Sequence, residues 1–302
     1  MSLLIVGTVA FDGIETPFGK VDKVLGGSAT YIGIAASYFS KSSNLISVVG
    51  GDFLDKDINL LENYNIDCEG LEIIKSEETF FWSGKYHKNM NIRDTIETRL
   101  NVLEKFNPKI PKKYQNCKYL MLANLMPSIQ LKALQKLKNR PALTVTDTMN
   151  YWMDHCLDDL HLVVSKTDVL IINDEEAFQL AKTNNIMEAS KIIREMGPKF
   201  LIIKKGTEGA LLFGKNQVFD CVAFPVRKCV DPTGAGDTFA GAFVGHLNNS
   251  DNINFDNMRT AVIKASAMAS FCVEDFGVNS IVNRSNQEIE ERILFLKNKV
   301  SL

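Results

Sequence analysis

The sequence of 302 residues lacks the features that mark several classes of protein. It has no apolar stretch of about 18 residues or more, the length that a membrane-spanning helix needs. Its opening segment, MSLLIVGTVAFDG, has no basic leader of the kind found in signal peptides. Its 34 basic and 36 acidic residues give a formal net charge of −2, unlike the basic surface of a nucleic-acid-binding protein. We therefore expect a cytoplasmic protein that binds neither nucleic acid nor membranes.

Cysteine is present but is not arranged as a zinc site or a disulfide framework. The six cysteines are spread from Cys68 to Cys272, and no two of them form a CxxC pair. Both kinds of site need closer or more regular spacing. We therefore expect isolated thiols that are buried and kept reduced.

Two nucleotide-binding motifs of well-defined spacing are also missing. The chain holds no GxxxxGK[ST] phosphate loop. The glycine pair Gly234 and Gly236 could start a dinucleotide fingerprint, but Phe239 stands where the third glycine is required. These two ways of binding a nucleotide are therefore not expected.

What the chain does have is an alternation of short apolar runs with amphipathic segments. The apolar runs show little period-two alternation, as strands do when a parallel sheet is covered on both faces. The helical patterns, which include one helix over Asp154–Lys166, complete an α/β fold, a three-layer αβα sandwich around a mostly parallel sheet. The predicted strands are Leu3–Val6, Leu45–Val49, Tyr119–Ala123, Leu143–Thr146, Val169–Ile172 and Leu201–Ile203.

Two regions interrupt this alternation. Thr79–Tyr86 and Thr95–Val102 have the pattern of antiparallel strands joined by a polar turn, and residues 11–25 are extended and rich in turn residues. We interpret segments at about 11–25 and 78–102 as insertions that form a small β-sheet lid over one end of the sandwich. The whole chain, residues 1–302, is then a single domain. The alternative is a surface hairpin without a function.

The most informative segment runs from Asp231 to Phe243, with the sequence DPTGAGDTFAGAF. Its glycines allow a tight turn, and the run after them predicts a helix that begins near Gly234. The first amides of such a helix have no intrahelical partner and bind phosphate. Asp237, beside them, could accept the proton of an attacking hydroxyl group, so the segment suits phosphoryl transfer to an alcohol. By itself, GAGD could also be a loop before a capped helix.

DPTGAGDTFAGAF resembles the C-terminal signature of the ribokinase-like (PfkB) family of carbohydrate and nucleoside kinases. The resemblance extends along nearly the whole chain and implies the ribokinase-like form of the αβα sandwich. It also implies that Asp237 is the catalytic base. The amides of Gly234, Ala235 and Gly236 would form the anion hole for the transferred phosphoryl group.

The resemblance implies an acceptor site as well. Asp12 follows the first predicted strand, where the family has an aspartate that binds the acceptor's hydroxyl groups. Gly26 and Gly27 match a diglycine at the hinge between lid and body, with substrate contacts nearby. Four residues later, Tyr31 stands where the family usually has an acceptor-binding asparagine. Because of this departure the acceptor of ribokinase cannot be carried over, and Tyr31 either contacts the acceptor or packs on a buried helix.

Two further motifs resemble the family's nucleotide and metal sites. Asn173 and Glu176 match its NxxE motif, which organises Mg²⁺ and its waters near the phosphates of ATP; otherwise, acidic residues in a first helical turn are ordinary dipole partners. Lys204, Gly206 and Gly209 lie in KKGTEGA, which resembles the family's GxxG loop, where the backbone approaches ATP. The alternative for this loop is a tight turn between two strands.

Late in the chain, Ser266 falls where the family contacts adenine. Cys272 and Gly277 fall where many members complete a monovalent-cation loop with the region of Asp231, and K⁺ is therefore a possible activator. Ile281 stands near a position that is often serine, a difference that weakens the expectation of K⁺ activation.

The function that the resemblance implies is ATP-dependent phosphorylation of a hydroxyl group on a small sugar or sugar-like substrate. The aromatic residues Phe80, Phe81, Trp82 and Tyr86 keep an adenosine-type nucleoside kinase open as the alternative, because bases stack on aromatic rings. An alternative of another class is an inactive module that senses a nucleotide or a sugar. Retention of Asp237 argues against this module, since a sensor has no need of a base. Two copies are expected to pair through the lid.

Overall fold

Thirteen strands in two sheets form the framework of the computed structural model, which describes residues 2–300. The strands are β1 Leu3–Val6, β2 Ala10–Thr16, β3 Gly19–Gly26, β4 Ser43–Gly50, β5 Ile66–Ile74, β6 Phe81–Tyr86, β7 Arg93–Arg99, β8 Tyr119–Leu122, β9 Leu143–Asp147, β10 Val169–Asn173, β11 Phe200–Lys204, β12 Ala210–Phe213 and β13 Val218–Cys221.

Ten α-helices cover the larger sheet and connect its strands. They are α1 Ser28–Ser37, α2 Asp55–Asn63, α3 Pro127–Gln135, α4 Asn150–His155, α5 Leu157–Val164, α6 Asp174–Ala181, α7 Ile186–Glu195, α8 Ala235–Ser250, α9 Phe255–Cys272 and α10 Asn286–Lys299. The prediction of one helix over Asp154–Lys166 was wrong, because Cys156 leaves the helical conformation, with φ −143° and ψ 40°, and separates α4 from α5. No helix within residues 2–300 is long and apolar enough to cross a bilayer.

The larger sheet has nine strands in the order β13-β12-β11-β10-β9-β8-β1-β4-β5. All its pairs are parallel except those that β12 makes with β11 and β13. Every residue of β1 and β8 is buried, because helices cover both faces of the sheet, and this explains the continuous apolar runs in the sequence. The predicted αβα sandwich with a mostly parallel sheet is confirmed. Strands β5, β12 and β13 were not predicted; β5 and β13 are the two edge strands and have only partly buried patterns.

The smaller sheet has four strands in the order β3-β2-β6-β7. Its pairs are antiparallel except for β2 with β6, which is parallel. Its strands come from residues 10–26 and 81–99, the parts of the chain from which a small sheet is expected. It is called the lid sheet below.

Parallel strands place their carboxyl ends at one edge of a sheet, and ligands of open α/β sheets bind beyond that edge. In the larger sheet, β9 ends at Asp147, β10 at Asn173 and β11 at Lys204. Three side chains with charged or amide groups therefore end neighbouring strands at the edge where a ligand is expected.

Candidate active site

The start of α8 has the features of an anion-binding site, and residues 233–237 are called the anion-binding turn below. Its N-cap is Gly234, whose φ of +75° lies in the left-handed region that favours glycine. A Cβ at this position would lie 2.4 Å from ring carbons of Tyr31, so the turn packs directly on that ring. The Ala235 amide donates to the carbonyl oxygen of Pro232 at 3.2 Å. The amides of Gly236 and Asp237 have no acceptor among the described residues and lie at the positive end of the helix dipole.

Asp237 stands in the first turn of α8, beside these amides. Its Oδ1 atom is shielded from solvent and has no hydrogen-bond partner within residues 2–300. Burial raises the pKa of Asp237 to about 8; the charge of Asp147 adds to this effect and that of Lys204 opposes it. A carboxylate with one shielded oxygen that has no partner, next to an anion-binding turn, is equipped to take a proton from a ligand held there.

A buried ion pair lies next to the same turn. The Lys204 Nζ atom is 3.6 Å from Asp147 Oδ1, and the side chains are only 17% and 8% exposed. A Cβ at Gly236 would lie 2.7 Å from the same Nζ atom. The lysine was a predicted nucleotide-binding residue, but Asp147 was not predicted to take part in the site.

The NxxE motif forms the N-terminal cap of α6. The Glu176 amide donates to Asn173 Oδ1 at 2.7 Å, and the Asn173 amide donates to Glu176 Oε2 at 2.8 Å. Part of the motif's role is therefore structural, as a capping box. Burial raises the pKa of Glu176 to about 7, with Lys204 opposing and Asp147 adding to the effect.

The donor set of this region suits Mg²⁺. Burial lowers the pKa of Lys204, and the charges of Asp147, Glu176 and Asp237 raise it above its ordinary value, although among the described residues only Asp147 lies within 4.0 Å of the ammonium group. Such a surplus of buried carboxyl oxygens fits a hard divalent cation that keeps some of its waters. Glu176 would hold it together with Asn173 acting through water, and it would offset charge on the phosphates of a nucleotide.

This assignment predicts a specific response to magnesium. In Glu176→Gln, the amide oxygen can still cap α6 while the charge is lost, so we expect the apparent affinity for Mg²⁺ to fall by about tenfold and raised Mg²⁺ to restore part of the activity. Initial rates across a Mg²⁺ titration measure this. Glu175→Gln is the matched control, because Glu175 lies in the same turn and is exposed. Unchanged activity of Glu176→Gln at limiting Mg²⁺ would refute the metal role.

The expected acceptor residues converge on the space between the lid sheet and the body. Asp12 is buried on β2, and a Cβ at Gly26 would lie 2.0 Å from its Oδ2 atom. Burial raises the pKa of Asp12 to about 7, with Asp231 adding to the effect and the amide of Gly27 opposing it. Gly27, with φ of +90°, lets the chain turn from β3 into α1. The charge of Asp12 also raises the pKa of Asp237, so both carboxyl groups belong to one site.

The ring of Tyr31 is packed inside the protein. Its ring is 1% exposed and lies under Gly234, and its hydroxyl group has no hydrogen-bond partner within the described chain. The side chain therefore supports the anion-binding turn from below. Of the two readings made from sequence, the structure has the packed one, and contact of Tyr31 with the acceptor stays a prediction.

The lid sheet closes over the anion-binding turn through Tyr86. This side chain is 5% exposed, and its hydroxyl group makes a hydrogen bond of 3.0 Å with Thr233 Oγ1. Since alternate residues of a strand share a face, Trp82 and Gly84 lie on the same face of β6 as Tyr86. A Cβ at Gly84 would lie 2.3 Å from Trp82 Cη2, so the indole ring packs against this glycine.

The KKGTEGA segment forms a short turn between β11 and β12. Gly209 has φ of +93°, and a Cβ there would lie 2.0 Å from the carbonyl oxygen of Cys221. Gly206 has φ of +55°, and a Cβ there would lie 3.6 Å from Asn91 Oδ1, in the turn between β6 and β7. The tip of the lid sheet therefore meets the loop that is expected to bind the nucleotide.

Two late residues are held within the protein. Ser266 on α9 is 8% exposed and contacts the Cys221 thiol at 3.6 Å, so its side chain does not reach the carboxylates of the site. Both oxygens of Asp231 accept hydrogen bonds from amides, of Thr233 at 2.9 Å and of Gly277 at 3.1 Å. Asp231 thereby ties the loop before α8 to the segment after α9.

Most of the residues that meet at this site were named from the sequence. Asp147 was not named, and neither was the pairing of Trp82 with Asp12 across the lid sheet. A signal for Asp147 existed, because it follows the apolar run LTVT and so ends a buried strand at the ligand-binding edge. The residues that meet are Asp12, Tyr31, Asp147, Glu176, Lys204 and Asp237.

Comparison with known proteins gives a consistent result. The model of the pfkB family of carbohydrate kinases matches residues 7–284. The cytidine kinase of Thermococcus kodakarensis is 27% identical over 81% of this chain and 87% of its own length. The nucleoside kinase of Methanothermobacter thermautotrophicus is 25% identical over 95% of this chain and 94% of its own. A candidate ribokinase II of E. coli, solved with ATP and Mg²⁺, superimposes with a TM-score of 0.79 at 23% identity, covering 97% of this chain and 99% of that one.

Proposed function

We propose that this chain, which belongs to the pfkB family of carbohydrate kinases, phosphorylates a sugar hydroxyl group of a nucleoside with ATP as the donor. The protein is a phosphotransferase acting on a nucleoside or a sugar. The choice of a nucleoside is the proposal, and one observation carries it. Trp82 lies beside Asp12 on the face of the lid sheet that covers the site.

The position of Trp82 follows from the register of the lid sheet. Asp12 of β2 is the direct partner of Trp82 of β6, and paired residues of neighbouring strands point to the same face. Tyr86, on that face, contacts Thr233 of the anion-binding turn. The Trp82 Nε1 atom donates to Thr95 Oγ1 at 3.3 Å, and the Arg93 guanidinium lies 5.9 Å from the centre of the ring. The indole is only partly buried, so part of it is accessible to a ligand.

A nucleoside has the two kinds of surface that this face offers. Its sugar hydroxyl groups suit the buried carboxylate of Asp12, and its base suits the flat ring of Trp82. The cytidine kinase and the nucleoside kinase that resemble the chain over most of its length support the same choice.

The chain's own residues can then be given steps in the transfer. Asp12 accepts hydrogen bonds from the acceptor's hydroxyl groups and orients one of them toward the start of α8. Asp237 takes the proton of that hydroxyl group as its oxygen forms a bond to the γ-phosphorus of ATP. The amides that begin at Ala235 donate to the oxygens of the transferred group. The bond to the bridging oxygen breaks, and its electron pair leaves with ADP.

The experiment is an acceptor panel of nucleosides and free sugars assayed by ADP release. We expect kcat/KM for the preferred nucleoside to exceed that for ribose by at least tenfold. Trp82→Leu should lower kcat/KM for the nucleoside by about 5- to 100-fold, the range that a lost base–aromatic stack allows, and leave the small activity on ribose unchanged. Equal loss on both acceptors would show that Trp82 does not bind a base.

Phe18→Leu is the matched control for this panel. Phe18 is an aromatic residue in the turn between β2 and β3, it is 47% exposed, and the Lys228 ammonium group lies over its ring. It lies in a turn of the lid sheet and not on β6, the strand that carries Trp82. We expect its replacement to leave the ratio of nucleoside to ribose kcat/KM unchanged.

A free sugar is the second candidate, favoured by the tight packing around the anion-binding turn. Tyr31 and Tyr86 are almost fully buried there, and such a closed space suits a compact acceptor. If a free sugar has the highest kcat/KM in the acceptor panel, this candidate is favoured over the nucleoside.

Two expectations from sequence stay predictions. Pairing of two copies through the lid sheet is in line with the exposed side chains of Ile92 and Ile96, and the mass in solution would test it. Activation by K⁺ at the loop of Asp231 would be tested by replacing K⁺ with Na⁺ in the assay.

A further inference from the structure

We propose that Asp147 is a positioning residue that holds the Lys204 ammonium group against the start of α8, so that the two side chains act as one unit in phosphoryl transfer. The proposal rests on the phosphotransferase activity and not on the choice of acceptor. It gives Lys204 a role in the transfer step, beyond binding ATP, and gives a role to an aspartate that has none in the steps above.

The sheet brings the two residues together. Both β9 and β11 pair with β10, where Asp147 is the partner of Ile171 and Lys204 is the partner of Asn173. The two side chains therefore flank the end of β10 at the ligand-binding edge. Lys204 Nζ and Asp147 Oδ1 are 3.6 Å apart there. Within residues 2–300, no other carboxylate lies within 4.0 Å of this ammonium group.

The ammonium group is aimed at the anion-binding turn. If Gly236 carried a Cβ, the nearest atom to it would be Lys204 Nζ at 2.7 Å, and the next would be Cε at 3.7 Å. The lysine thus ends against the first turn of α8, one residue before Asp237. A side chain at residue 236 would meet the end of this lysine.

The pair is buried and keeps its hydrogen-bonding capacity. A distance of 3.6 Å is too long for a hydrogen bond, and the described chain offers Nζ no hydrogen bond, so its donors are free for a ligand. Asp147 Oδ1 likewise has no hydrogen-bond partner among these residues. Burial lowers the pKa of Lys204, but the carboxyl groups of Asp147, Glu176 and Asp237, of which Asp147 contributes most, together raise it above its ordinary value, which keeps the lysine charged.

This geometry suits the charge that develops in the reaction. As the γ-phosphoryl group moves from ADP to the acceptor, negative charge spreads over its oxygens and onto the bridging oxygen that leaves with ADP. A fixed ammonium group next to the receiving amides stabilises that charge without reorganising. A lysine has a long, flexible stem, and Asp147 supplies the restraint that keeps its end in place.

A double-mutant cycle tests the unit with Lys204→Met, Asp147→Asn and the double variant. We expect kcat to fall by about 10²-fold in Lys204→Met and about tenfold in Asp147→Asn, while the Kd of ATP, measured by calorimetry, changes less than fivefold. The double variant should be no slower than Lys204→Met, because Asp147 acts through the lysine. Losses that multiply in the double variant would overturn the proposal.

Two further measurements separate this role from structural and metal-binding roles. Lys204→Arg keeps the charge, so its kcat should be at least tenfold higher than that of Lys204→Met. A kcat no higher than that of Lys204→Met would overturn the proposal. Recovery of Asp147→Asn by raised Mg²⁺ would make Asp147 a metal ligand instead and would also overturn it. Melting temperatures show that each variant is folded at the assay temperature.

The other end of the same strands offers a matched control. Lys199 precedes β11 and lies 3.4 Å from the buried carboxylate of Asp168. This pair has the same chemistry at the edge away from the site. We expect Lys199→Met to leave kcat within twofold of the wild type. A wild type that accepts only free sugars would overturn the nucleoside proposal and leave this test intact.

Discussion

Replacing Asp237 with asparagine is expected to lower kcat by about 10²- to 10⁴-fold while ATP still binds. The asparagine keeps the shape of the side chain but cannot take the acceptor's proton. The amides at the start of α8 remain, so binding of the nucleotide should change little. Steady-state rates and nucleotide titration measure the two effects separately. A variant with more than about a tenth of the wild-type kcat would remove Asp237 from the role of base.

The same substitution should make the unliganded protein more stable at high pH. The pKa of Asp237 is raised from an ordinary value of 3.8 to about 8 by burial. Between these values the unfolded chain has lost the proton that the folded protein retains, so the free energy of unfolding falls as pH rises. Asp12 and Glu176, with pKa values raised to about 7, add to the same slope.

The stability effect is measured as a difference between two pH values. We expect Asp237→Asn to raise the Tm relative to the wild type by about 2–6 °C more at pH 8 than at pH 4, since 1 kcal/mol corresponds to about 2–4 °C in a protein of 150–250 residues. Comparing the two pH values cancels any effect of the amide on packing. The same difference in Tm at pH 4 and pH 8 would show that Asp237 does not destabilise the fold by ionising.

Features that depend on neighbouring residues were predictable from sequence. The buried strands follow from their continuous apolar runs, and Asp237 follows from a motif that holds the turn, the helix start and the carboxylate within a few residues. The capping box of Asn173 and Glu176 is local in the same way. In these cases the chemistry and the residues that position it are read from one short segment.

Features that depend on the order of strands were not predictable. Asp147 meets Lys204 only because β10 lies between β9 and β11 in the sheet. Trp82 lies beside Asp12 only because β6 pairs in parallel with β2, whereas a hairpin of β6 and β7 gives no information about that partner. The period-two pattern showed that the aromatic residues alternate between faces, but not which face covers the site.

Tyr31 shows how a local motif leaves a contact open that only the fold decides. Its distance in sequence from Gly26 and Gly27 allowed either a residue of the acceptor site or a packed ring. The structure places its ring beneath Gly234, far along the chain, where it fills the space under the N-cap of α8. An aromatic ring in this place restricts what residue 234 can be.

That restriction leads to the second large effect, in Gly234→Ala. Alanine at φ +75° is strained by about 1–2 kcal/mol, and its Cβ would lie about 2.4 Å from three ring atoms of Tyr31. The ring is 1% exposed and enclosed by the core, so it cannot turn away into solvent. The N-cap of α8 must therefore move. We expect kcat to fall by about 10²-fold or more, because shifts of about 1 Å in positioning groups have effects of this size.

The double variant Tyr31→Leu with Gly234→Ala separates the contact from the strain. Leucine removes the ring but keeps an apolar side chain under the turn, so the new Cβ has room while the unfavourable φ remains. We expect the loss of kcat caused by Gly234→Ala to be at least tenfold smaller in the Tyr31→Leu background than in the wild type, so the double variant recovers activity. If it recovers nothing, the left-handed backbone of Gly234 and not the ring beneath it holds the anion-binding turn in place. If Gly234→Ala itself keeps more than a tenth of the wild-type kcat, the amides at the start of α8 do not need the position that this glycine gives them, and they are not the anion hole.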